Sequence, residues 1–143
     1  MDFLTEFRGK TMKQEAQCSC GQLKATVDCE ITKTSICHCF ECQKRTGSAF
    51  GIQTRVERDK VLIEGESTTF KRTGDSGGVA TFHFCPKCGS TVFWELDGMP
   101  DSIVIAAGSF SNPKLPSPTF MVYGNRMHHW LTMPETAVEY FMT

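Results

Sequence analysis

The stretch VATFHFCPKCGSTVFWEL, residues 79 to 96, reads as strand, metal knuckle and strand in one continuous run. On either side of the cysteines the chain is rich in Val, Thr, Phe and Trp, the residue types that fit a pleated, half-buried surface. Between them, Cys85-Pro86-Lys87-Cys88-Gly89 holds two thiols in a tight turn. Proline sets one backbone angle of that turn, glycine accepts a positive φ, and freed N–H groups can point at sulfur. Such a knuckle supplies two ligands to a tetrahedral ion, so two more must come from elsewhere in the chain.

Working outward, the same Cys-Gly step closes CSCG, with Cys18 and Cys20 just ahead of a second strand candidate. Cys18, Cys20, Cys85 and Cys88 complete a four-cysteine site joining distant segments, the closed shell of a structural zinc. Three further cysteines crowd into CHCFECQKRTGSAF, residues 37 to 50: Cys37, Cys39 and Cys42. Three thiolates from one turn can cap one face of a zinc ion and leave the opposite vertex open, the catalytic pattern. Two readings of the eighth cysteine remain. Cys29 either closes the tripod or, continuing the alternation of Leu23, Ala25 and Val27, packs as a small apolar side chain. The second fits its lack of any turn signal. His38, between two ligating cysteines, points away from the metal on this reading and serves packing or support. His83 alternates with Phe82 and Phe84 as a structural histidine; His128 and His129 are either pocket-lining or surface.

Around these clusters the pattern is β. GQLKATVDC, SAFGIQTRV, KVLIEGE, SIVIAAG and TFMVYG are further short strand candidates broken by Gly, Asp and Pro. GDSGG (74–78) is a turn before the knuckle, and the three prolines of SNPKLPSP (111–118) bar ladder pairing. At 143 residues the chain fits one domain. The fold class is therefore mainly β, a small antiparallel domain over residues 15–143 pinned by two zinc ions. Residues 1–14 form an extension, either a short helix through Phe3, Leu4 and Phe7 or a loose segment.

Composition removes other classes. The 15 Lys+Arg and 16 Asp+Glu nearly balance, and seven ionised thiols outweigh two zinc ions, so no bulk field recruits nucleic acid. No apolar run is long enough to span a membrane. MDFLTEFRGK carries acids and no apolar signal region, so the reading is cytoplasmic, where thiols stay reduced. Close Cys-x-Cys and Cys-x-x-Cys spacings also disfavour a disulfide framework.

The order C-x-C-G, C-H-C-x-x-C-Q-K-R-T-G-S-A-F, F-C-x-x-C-G-S, G-S-F-S-N-P and a late Trp resembles the glutathione-dependent formaldehyde-activating enzyme family, which includes the centromere protein V domain. The resemblance runs from Cys18 to Trp130. It implies several coiled β-sheets of the β-tent kind, structural zinc on Cys18, Cys20, Cys85 and Cys88, and catalytic zinc on Cys37, Cys39 and Cys42. It further implies a carbon–sulfur lyase activity that joins glutathione, a small-molecule thiol, and formaldehyde as S-hydroxymethylglutathione. The alternative is a non-catalytic zinc-stabilised binding module. Two positions depart from the family's habit: Met121 stands where a histidine is frequent, and Ser111 and Asn112 replace aspartates. Both bear on the choice of substrate.

Three thiolates on Zn²⁺ leave one net negative charge, and a fourth thiol adds another, so cations or N–H donors should offset it. Lys44 and Arg45 either do this, or grip substrate carboxylates, or are surface charges. Thr46, Gly47 and Ser48 either present N–H groups to an anion or form a turn. All five are carried as candidate substrate-binding residues.

Overall fold

The computed structural model describes residues 13–74 and 76–140. The helix considered through Phe3, Leu4 and Phe7 lies outside them, and Gln14, read as the end of the extension, opens the first strand. Among the described residues there are eleven strands and one α-helix: β1 (Gln14–Gln17), β2 (Lys24–Val27), β3 (Thr34–Cys37), α1 (Phe40–Thr46), β4 (Gly51–Glu57), β5 (Val61–Glu64), β6 (Thr68–Thr73), β7 (Val79–Phe84), β8 (Thr91–Leu96), β9 (Ser102–Ala106), β10 (Phe120–Val122) and β11 (Val138–Tyr140). They form a three-stranded sheet, β1-β2-β5, and an eight-stranded sheet, β11-β10-β3-β4-β9-β8-β7-β6. The mainly β reading holds. Among the described residues no helix is long and apolar enough to cross a membrane.

Alternation explains how the sheets stack. Ile103 and Ile105 of β9 face the small sheet, while Val104 between them faces the other way. The main core joins Ala16, Leu23, Ala25 and Val27 from the small sheet's side to Val56, Val92, Ile103 and Ile105 of the large one. Full burial of each aliphatic side chain contributes about 1.5–3 kcal/mol. On the opposite face Phe82, Trp94 and Val104 form a second cluster, which becomes the floor of the candidate site.

Two departures from the antiparallel expectation matter. Strand β10 pairs in parallel with both β3 and β11, which brings Val122 opposite Cys37 and Tyr123 to the end of β3. Parallel neighbours need long connections, and residues 38–119 between β3 and β10 and residues 123–137 between β10 and β11 supply them. Met121, at the position where the resemblance suggests histidine, is buried with Ile36 and Ala137 rather than facing the cysteines.

Candidate metal centres and the adjoining cleft

Two groups of thiols converge. The sulfurs of Cys18, Cys20, Cys85 and Cys88 all lie within 4.8 Å of one another, as do those of Cys37, Cys39 and Cys42. The first group is built by two matched turns. Gly21 N–H donates to the Cys18 carbonyl at 3.0 Å, and Gly89 N–H to the Cys85 carbonyl at 2.8 Å. Both glycines have positive φ, 83° and 79°, as the knuckle reading requires. Backbone N–H groups point at sulfur: Leu23 toward Cys18 and Lys87 toward Cys85, each at 3.3 Å. Ser19 and Ser90 hydroxyls meet at 2.9 Å and tie the turns together.

The donor set fits a thiophilic cation. A tetrahedral zinc with sulfur ligands at about 2.3 Å needs sulfurs about 3.8 Å apart, and Cys20 lies 3.6 Å from both Cys18 and Cys85. The Ser90 hydroxyl and its N–H hold the Cys88 thiol down to about 5. The Gln22 N–H lowers Cys20, but burial and the neighbouring thiols outweigh it and push Cys20 up to about 11. Adjacent thiolates repel one another, and a cation among them would offset that charge.

The tripod is local. Cys37 ends β3, Cys39 is the N-cap of α1, and Cys42 sits in its first turn. Cys39 has extended backbone angles, and its sulfur accepts the Cys42 N–H at 3.3 Å, the role an Asp or Ser side chain plays at other helices. All three cysteines are buried. Hydrogen bonds from Cys37 and then Cys42 hold the Cys39 thiol far below its ordinary range, while the bond to Cys39 pushes Cys37 far above it. Among the described residues no fourth Cys, His, Asp or Glu joins this group. Cys29 lies just past the end of β2, half-buried against the main core. It packs against the core and continues the in–out alternation of Leu23, Ala25 and Val27, two residues beyond the end of the strand. His38 is fully buried, edge-on to Phe50 at 5.8 Å, with neither ring nitrogen hydrogen-bonded. His83 stacks on Phe93 at 4.3 Å, and His128 contacts Gln43 of α1 at 2.9 Å.

A cleft of about 390 Å³ opens between α1 and strands β6–β8, lined by Lys44, Arg45, Phe70, Arg72, Phe82 and Thr91 among others. Arg45 reaches into it with its guanidinium 4.3 Å from the Trp94 ring centre and 5.5 Å from that of Phe82. One position on β4, Gly51, borders both the Arg45 guanidinium and the Cys42 side chain, so the cleft adjoins the tripod. Gly51 permits this approach, since a Cβ there would sit 3.0 Å from an Arg45 nitrogen and 3.7 Å from the Cys42 sulfur. Lys44 is at the rim, paired with Glu41 at 3.4 Å and largely exposed. Thr46, Gly47 and Ser48 are not among the residues lining the cleft. They finish the helix: the Thr46 hydroxyl donates to the Cys42 carbonyl, and Gly47 is the left-handed cap with φ 65°.

Two residues of this region carry no signal in the sequence. Arg72 lies 27 positions after Arg45, in a strand with no motif. Tyr123 packs against the three cysteines in a left-handed conformation, φ 56°, uncommon for a large side chain. The proximity of TFMVYG to CHCFEC follows only from the parallel pairing of β10.

A crystal structure of a Rhodobacter sphaeroides protein superposes with a TM-score of 0.54 at 19% identity, covering 70% of this chain and 92% of that one. That likeness speaks to the fold alone. No curated protein matches the chain in sequence. A family model described as glutathione-dependent formaldehyde-activating enzyme matches residues 13–126, a span that holds both cysteine groups, α1 and the cleft, and the chain belongs to that family.

Proposed function

We propose that this chain, as one zinc-binding domain over residues 15–143, is a carbon–sulfur lyase acting in a reduced, cytoplasmic compartment. It joins a small thiol to an aldehyde and reverses that step, with glutathione and formaldehyde as the pair named in the family's description. The observation that carries the reading is ligand count: four converging thiols in one group, three in the other, and a cleft beside the three.

In this reading Cys18, Cys20, Cys85 and Cys88 hold a structural zinc. Cys37, Cys39 and Cys42 hold a second, with one position left for an exchangeable ligand. When bound there, zinc supplies Lewis acidity and stabilises a thiolate or hydroxide near neutral pH. The chain's own residues do the rest. The N-cap geometry of Cys39 fixes the tripod before any metal arrives. Arg45 offsets the negative charge that the thiolates accumulate, and Lys44 adds positive charge at the mouth. Thr46, Gly47 and Ser48 act by ending α1, which holds Arg45 in the preceding turn. In the forward direction the thiol sulfur bonds to the carbonyl carbon, the carbonyl π bond opens, and the thiol proton ends on the new hydroxyl.

Exchange between ¹³C-formaldehyde and its glutathione adduct, followed by magnetisation-transfer NMR, tests this reading. The zinc-loaded protein should accelerate exchange well above the spontaneous rate, and Cys39→Ser should abolish the excess while leaving the β fold. Exchange no faster than in buffer, from protein carrying two zinc ions, would leave the non-catalytic binding module in its place.

A further inference from the structure

We propose that Arg72 joins Arg45 in a subsite for the substrate's carboxylate, which makes Arg72 a specificity-determining residue of this site. The inference rests on the tripod reading for the position of the sulfur, and adds to it where the rest of the substrate lies and which residue selects it.

Both guanidiniums pack against the same aromatic ring: Arg45 at 5.5 Å from the centre of Phe82 and Arg72 at 5.0 Å. Neither has an ion-pair partner among the described residues, whose salt bridges take up Glu15, Glu41 and Glu95 with other cations. Arg45 Nε and one terminal nitrogen, together with Arg72 Nε, are buried from solvent without a hydrogen-bond acceptor. A buried charged donor left unmet costs more than a neutral one, and polar groups in such surroundings are nearly always satisfied. Two like charges lining one cleft against one ring also repel. An anion between them relieves both costs. A carboxylate is the matched shape, because the guanidinium fork takes two oxygens in one plane.

The surroundings fix where that anion would come from. Arg45 stands beside Cys42, so a ligand whose sulfur is at the tripod has a carboxylate within the cleft's reach. Among the described residues, the one acidic residue lining the cleft is Glu41, which is engaged with Lys44 at its rim. Phe82 and Phe70 supply an apolar wall along the aliphatic part of such a molecule, Phe70 being 61% exposed on the edge strand β6. Arg72 is then a specificity residue, contacting the substrate but not the reacting atoms.

The test compares 3-mercaptopropionate with its uncharged amide, 3-mercaptopropanamide, each titrated into cobalt-substituted protein while sulfur-to-cobalt charge transfer is recorded. The carboxylate should bind roughly tenfold tighter or more, the scale of a charge-assisted bidentate contact. Arg72→Gln should remove that preference and leave amide binding unchanged, with Arg72→Lys restoring part of it. Equal affinity of both thiols for the wild type overturns the subsite alone, and so does equal weakening of both by Arg72→Gln, which would make Arg72 structural. A spectrum that neither thiol alters removes the open position and the substrate class together. A second measurement is independent of the metal: in a Trp130→Phe background, propionate should change Trp94 fluorescence through Arg45 and lose that effect in Arg72→Gln. Silence there contradicts an anion site.

Discussion

Gly65 shows how tightly the four-cysteine group is tied to the rest of the chain. Its φ is 97°, and a Cβ on it would fall 2.0 Å from the Gln22 carbonyl oxygen. Gln22 is the link itself, its amide donating to the Glu66 carbonyl at 2.8 Å and to the Cys85 sulfur at 3.0 Å. Gly65→Ala should therefore destabilise the fold by about 2 kcal/mol or more, through backbone strain and the displaced Gln22. Urea unfolding of zinc-loaded protein checks this, and a change within error would mean the turn adapts. At the tripod, Gly51→Ala should displace Arg45 rather than unfold the chain, because the crowded atom ends a flexible side chain. The expected result is weakened thiol binding with nearly unchanged stability. At this scale the cysteines were legible: spacing alone sorted seven of them into the groups that the structure brings together. Arg72 and Tyr123 were not, because strand pairing across the sheet is what brings Arg72 to the cleft and Tyr123 to the tripod.

Among the elements, α1 and the knuckle differ in what depends on them. The knuckle closes contacts across about seventy positions, whereas Cys37, Cys39 and Cys42 lie on one strand end and one turn of helix. Cys88→Ser should fail to fold or lose several kcal/mol, since structural zinc binding free energy is folding free energy. Cys39→Ser should keep the β circular-dichroism signature and one zinc ion. Equal collapse of both would make the tripod a second strut. The elements that escaped the sequence share a physical reason. Strand β3 is buried along its whole length and shows no alternation, and β6 is an exposed edge with polar residues on both faces. Helix α1 has only seven residues, too few for a helical period to stand out, and its N-cap is a cysteine instead of the usual Ser, Thr or Asp. The strands with clear alternation or β-rich composition, β2, β4, β5 and β7 to β10, lie within the candidate segments, except that β4 runs one residue past its segment to Glu57.

For the whole molecule, the large sheet separates structure from chemistry. One face carries the main core against the small sheet, and the other carries Phe82 and Trp94 under Arg45. The sequence patterns could name both sets of residues as strand-forming, but not which sheet or which face each would occupy. Two zinc ions of unequal lability should follow from this division, with a moderate chelator releasing the tripod ion first. One tightly held zinc and three freely titrating thiols in CHCFEC would contradict it. The proposed chemistry requires the open position beside the cleft, and cobalt-substituted protein titrated with glutathione examines that position directly. Charge transfer at the three-cysteine site should grow as a fourth sulfur joins, the four-cysteine site should stay silent, and Cys29→Ser should respond as the wild type does. A tripod site that already shows four sulfurs before glutathione is added, and accepts a thiol only in Cys29→Ser, would contradict the account.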